Sequence, residues 1–151
     1  MTITIRELKE LVEDNCDPSQ PLRVVSRDVG KKAGKHSVIS VNEDYPVRFS
    51  ASKGKYDERA YIEFAHYYDS EILTPETFVE VLEDLLVDEP KATVGWVYFF
   101  FFPMDHVTLL RKVRRIDCAS LDSSKVRNIY LADDEPNTLV IEAEYEISAF
   151  S

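Results

Sequence analysis

The sequence reads as an α+β protein, with two short helices packed on mostly antiparallel β-sheet. Three observations predict this. Two segments carry helix-start signals followed by helical periodicity. Most other apolar stretches are short, rich in β-branched and aromatic residues, and bounded by turn-forming residues. Apolar residues make up 44% of the 151, enough for one core and a single domain over residues 1–151.

The first helix is predicted over 5–15. Thr4 can cap it, and Glu7 follows at the capping-box spacing. Ile3 and Leu8 stand at the two positions of a hydrophobic staple. Ile5, Leu8, Leu11 and Val12 share one face, and Asp17-Pro18 ends the segment. Strands are expected at 22–27, 37–41, 47–51 and 60–67, with exposed basic turns at 31–35 and 52–55.

The second helix announces itself at Thr74-Pro75, a cap followed by proline at the first helical position. Leu73 and Phe78 repeat the staple. Phe78, Leu82, Leu85 and Leu86 form the apolar face, and Asp88-Glu89-Pro90 stops the helix. The stretch 93–102 has no polar alternation, so it is expected as a strand covered on both faces. Residues 107–116 fit either a helix or one face of a strand, and the strand reading is favoured. Segments 129–132 and 138–145 flank a turn at 133–137 and read as a hairpin.

Shifting the chain by seventy residues lays Ile3-Thr4 on Leu73-Thr74, Leu8 on Phe78, and Val24 on Val94. An alternative organisation is therefore two similar halves, 1–70 and 71–151. Two capped helices that precede strands also look alike for general reasons, because capping rules are shared.

Composition narrows the function. Four glycines leave little scope for a Gly-rich phosphate loop. Cys16 and Cys118 form neither a disulfide framework nor a metal knuckle, and read as reduced thiols. His36, His66 and His106 show no metal-ligand spacing, so no metal or other cofactor is expected. No nucleophile elbow occurs and neither cysteine sits in a catalytic signature, so catalysis is not expected. The N-terminus lacks a signal-peptide pattern and no apolar run is long enough to span a bilayer as a helix, which predicts a cytoplasmic protein without membrane contact.

Charge is sorted into blocks within a net of −10. Residues 61–110 hold ten acids and one base, 111–127 six bases and two acids, and 128–151 six acids and no base. Net negative charge opposes direct nucleic-acid binding. The acidic block instead suggests a docking face for a basic partner protein, including a nucleic-acid-binding enzyme whose groove it would occupy by imitating a row of phosphates. The predicted contact residues are Asp69, Glu71, Glu76, Glu80, Glu83, Asp84, Asp88 and Glu89, with the middle four central. The plain reading of the same residues is a solubilising face.

Two alternatives come from other classes. One is a small-ligand module for a nucleotide-like anion, using Tyr67, Tyr68, Trp96 and Tyr98 for stacking and Arg111, Arg114 and Arg115 for the phosphate. The other is a homo-oligomer or assembly component that uses the aromatic run 96–102 as a seam.

Overall fold

A computed structural model describes residues 3–29, 38–41, 46–54, 59–66, 71–101 and 124–144. The elements are α1 (Ile5–Asn15), β1 (Arg23–Asp28), β2 (Val38–Val41), β3 (Arg48–Lys53), β4 (Ala60–His66), α2 (Pro75–Asp88), β5 (Val94–Phe101), β6 (Ser124–Leu131) and β7 (Thr138–Glu144). The fold is α+β, as the sequence predicts.

Both helix starts form where capping chemistry places them. The Glu7 amide donates to Thr4 Oγ1 at 3.0 Å, and the Thr4 amide donates to Glu7 Oε1 at 3.1 Å, so the box is reciprocal. At α2 the Thr77 amide donates to Thr74 Oγ1 at 3.4 Å, with Pro75 opening the helix. Threonine replaces glutamate at the third position there, so no reciprocal bond closes. Leu73 and Phe78 are buried as a staple requires.

The seven strands form one mixed sheet in the order β2-β1-β7-β6-β5-β4-β3. Pairing is antiparallel except for β1 with β7 and β4 with β5. α2 supplies the crossover that a parallel β4–β5 pair requires. Val41 and Arg48 stand on opposite edge strands, yet only six residues separate them. Seven extended steps reach about 25 Å, whereas a flat seven-stranded sheet measures about 29 Å across. The sheet must therefore curl, bringing its edges toward each other.

One face of the sheet meets both helices. Ile5, Leu8 and Val12 of α1 and Phe78, Val79 and Leu82 of α2 pack in one core with Ile62, Phe64, Val97, Phe99, Leu139 and Ile141. Phe49 links the two layers, stacking on Phe78 at 4.2 Å and meeting Phe64 at 5.0 Å.

Three expectations are corrected. Ser52 and Lys53, read as part of a turn, belong to β3, because their ladder with Tyr61 and Ala60 continues that far. β6 begins at Ser124 rather than 129. Its first half is polar and lacks an apolar run, but pairs with Ala143 and Glu144 across a bulge at 126–128. β5 is not covered equally on both faces: Val97 and Phe99 are buried, while Trp96 and Tyr98 are half-exposed. The segments 31–35 and 107–116 lie outside the described residues.

In the order of elements α1 precedes β1 and α2 precedes β5, and the likeness of the two stretches is limited to that order. Two backbone hydrogen bonds tie the stretch before α1 to β5 and the stretch before α2 to the residue that precedes β1. The Val94 amide donates to the Ile3 carbonyl at 2.9 Å, and the Leu22 amide donates to the Leu73 carbonyl at 2.9 Å. The match ends in the sheet, where β2 and β3 occupy opposite edges while β6 pairs on both sides.

Candidate functional site: an acidic helix layer

α2 is amphipathic at helical spacing. Pro75, Phe78, Val79 and Leu82 are buried, and Glu76, Glu80, Glu83, Asp84 and Asp88 are exposed. Steps of three and four residues keep these five carboxylates on one arc of the helix. The acid at the first turn, Glu76, also suits the positive end of the helix dipole. The central four of the predicted contact residues are thus brought together and face outward.

The rest of the predicted set divides. Glu71 lies apart, on the rim of a hollow of about 330 Å³ shared with Arg48, Phe49 and Ile72. Glu89 pairs with Lys53 of β3 at 3.6 Å. Within the central four, Glu83 is met by Lys9 of α1 at 3.8 Å, and Lys9 also holds Glu13 at 3.3 Å. These are surface pairs, each worth about 0–1 kcal/mol. Among the described residues, Glu76, Glu80 and Asp84 make no ion pair. Asp69 lies outside the described residues.

The tertiary fold adds acids that the reading of α2 missed. α1 runs alongside α2 in the opposite sense: Lys9 meets Glu83, while Cys16 and Pro18 approach Pro75 and Glu76. Glu7, Glu10, Glu13 and Asp14 therefore join the same layer. Together the two helices carry nine acidic and two basic residues. The amphipathic pattern of α1 was legible in the sequence, but its position beside α2 was not.

Between the helices lies a groove of about 350 Å³. Val12, Cys16, Pro18, Pro75 and Val79 line its apolar part, and Glu13, Glu76, Glu80 and Glu83 line the rest. Burial pushes the Cys16 thiol pKa up, so this side chain is a neutral part of the floor.

The wall at Pro18 is held from both sides. The Asp17 carboxylate accepts from the Ser19 amide at 3.0 Å and the Ser19 hydroxyl at 2.7 Å, and these bonds lower its pKa. Asn137, at the β6–β7 turn with φ of 50°, accepts from the Asp17 amide at 2.9 Å and donates to the Asp17 carbonyl at 2.8 Å. Asparagine tolerates this left-handed conformation better than most residues.

The opposite face of the sheet is aromatic. Trp96 stacks on Tyr61 with centroids 5.9 Å apart, and the Arg59 guanidinium lies 5.4 Å from the Trp96 ring centre. Ladder pairing places Glu63 beside Tyr98. The Trp96 indole nitrogen is buried and has no hydrogen-bond acceptor among the described residues. Trp96 and Tyr98 of the predicted ligand set thus share one face, joined by Arg59 and Tyr61, which sequence reasoning did not select. Tyr67, Tyr68, Arg111, Arg114 and Arg115 lie outside the described residues, as do His36, His106 and Cys118. β5 pairs with β4 as far as Phe101, and with β6 at Trp96 and Val97.

Among the described residues, no three His, Cys, Asp or Glu side chains group as a metal site, and no helix is long and apolar enough to cross a membrane. No family model, curated protein or solved structure matches this chain.

Proposed function

We propose that this is a non-catalytic binding protein that occupies the surface of a basic partner protein through its acidic helix layer. The partner class that fits best is a nucleic-acid-handling enzyme, whose groove is built to receive rows of negative charge. Occupying that groove would inhibit it. One observation carries this reading: nine carboxylates against two cations on two adjacent helices, with Glu76, Glu80 and Asp84 exposed and unpaired among the described residues. A surface so unbalanced attracts a basic partner at a distance and speeds encounter.

The test uses the full chain as bait against a host extract, beside a variant carrying Glu76→Lys, Glu80→Lys, Glu83→Lys and Asp84→Lys. The expected result is a captured basic protein that the variant fails to retain, with affinity falling steeply as salt shortens the Debye length. Nucleic acid added to the captured complex should displace the bait. Equal retention by a variant with an unchanged melting temperature would overturn the reading.

A second reading, a small-ligand site, is favoured by the cluster of Arg59, Tyr61 and Trp96. A thermal-shift screen with nucleotides tests it, since a ligand that binds only the native state raises Tm.

A further inference from the structure

An acidic layer attracts many basic surfaces and does not by itself choose among them. The groove between α1 and α2 offers a means of choice. The groove is partly apolar: Pro18 is exposed at its rim and the nearly buried Cys16 and Val79 lie below it, with Glu13, Glu76, Glu80 and Glu83 alongside. A second observation points the same way. Val87 of α2 is 82% exposed, among carboxylates, one helical turn beyond Glu83. Eight residues separate it from Val79, which is about 12 Å along the helix axis.

Resting on the docking role proposed above, we infer that this groove anchors a basic amphipathic helix of the partner. One apolar side chain of that helix seats on Pro18 and the edges of Cys16 and Val79. A second, about two turns further along, covers Val87. Lysines or arginines flanking the first reach Glu13, Glu76 and Glu80. The occupant is helical because α1 and α2 already use their interior backbone groups in their own hydrogen bonds. They cannot pair with an extended peptide, whereas a helix satisfies its own backbone. Charge complementarity sets the sign of the partner, and the apolar anchors set its register, as buried anchors do in other interfaces.

The probe is a synthetic, fluorescein-labelled helical peptide with lysines on its flanks and two leucines about two turns apart. It is titrated with the full chain and followed by anisotropy. Three companions replace both leucines by alanine, all lysines by glutamate, or a central residue by proline. The leucine–lysine peptide is expected to bind. The alanine and proline versions should be weaker by at least about tenfold, a loss of about 1.4 kcal/mol, and the glutamate version should not bind.

Two variants of the protein localise the effect. Pro18→Trp covers the groove from its exposed rim, and Val87→Ala removes the second contact without touching the core. Each should weaken the leucine peptide and leave the alanine peptide unchanged. If leucine and alanine peptides bind alike, the anchor is wrong while the acidic docking face stands. If proline has no effect, the helical occupant is wrong. If no lysine peptide binds at all, the docking face fails together with the anchor.

Discussion

The helix layer and the sheet carry their charge in opposite ways. The two helices hold nine acidic and two basic residues, whereas the seven strands hold six basic and four acidic. On the sheet, opposite charges meet within the molecule. Arg127 of β6 donates to Glu144 of β7 at 2.9 Å, and Arg23 of β1 pairs with Glu135 of the β6–β7 turn. Neighbouring strands stand side by side, so a charge on one is within reach of its complement on the next. The helices array like charges along a shared surface, where Lys9 is the one cation that pairs among the described residues. The difference teaches where acidic charge stands unpaired among the described residues: on the helices, at Glu76, Glu80 and Asp84, above the core.

The largest expected effect breaks the joint between the two regions. Phe78 is fully buried and stacks on Phe49 of β3, so it fastens α2 to the sheet edge. Phe78→Ala should lose about 3–5 kcal/mol, a large share of the roughly 5–15 kcal/mol that a domain of this size holds. Urea unfolding followed by circular dichroism measures it. A loss below about 1 kcal/mol would mean that the helix layer is held elsewhere.

A smaller effect sharpens the account of the sheet's outer face. Gly95 sits at the register shift between β4 and β5. A methyl group added there would stand 2.5 Å from Arg59 Cβ and 3.1 Å from its Cδ. The Cβ cannot move without its backbone, so Gly95→Ala should destabilise by about 1–3 kcal/mol. In an Arg59→Gly background the same substitution should be nearly silent. A double-mutant cycle reads the difference. Additive effects would show that Gly95 is required for some other reason.

The smallest effect is a dependence on pH. Burial raises the pKa of the Glu63 carboxyl, on the outer face beside Tyr98. Because its folded-state pKa lies above the unfolded value, folding favours the protonated form. Glu63's contribution is thus complete in acid and is lost as pH rises through the folded pKa. Glu63→Gln keeps the site neutral throughout. It should raise Tm relative to the parent chain near about pH 7 and lose that advantage below about pH 4, the ordinary glutamate range. An advantage that did not change with pH would assign the effect to packing.

Much of the architecture was legible before any coordinates. Thr4 with Glu7, and Thr74 with Pro75, fixed both helix starts, because a cap is decided by side chains within three residues of it. Most strand positions followed from β-branched and aromatic runs. The exceptions were Ser52 and Lys53 at the end of β3 and the first half of β6, where Lys125, Arg127 and Asn128 carry no apolar signal and the strand exists because β7 pairs with it. The candidate site was half legible: spacing placed Glu76, Glu80, Glu83 and Asp84 on one arc of α2, but nothing local told that Lys9 would reach Glu83.

The sequence by itself determined where α1 and α2 begin, which of their faces turn inward and how charge is apportioned along the chain, since each depends on residues a few positions apart. Tertiary structure alone decided that α1 lies against α2 to make an acidic groove, that β1 runs beside β7, and that Arg59 crosses Gly95 to reach Trp96. Those pairings join segments many residues apart. Their choice rests on the combined burial of a whole core and the closure of a curled sheet, which no short stretch of sequence encodes.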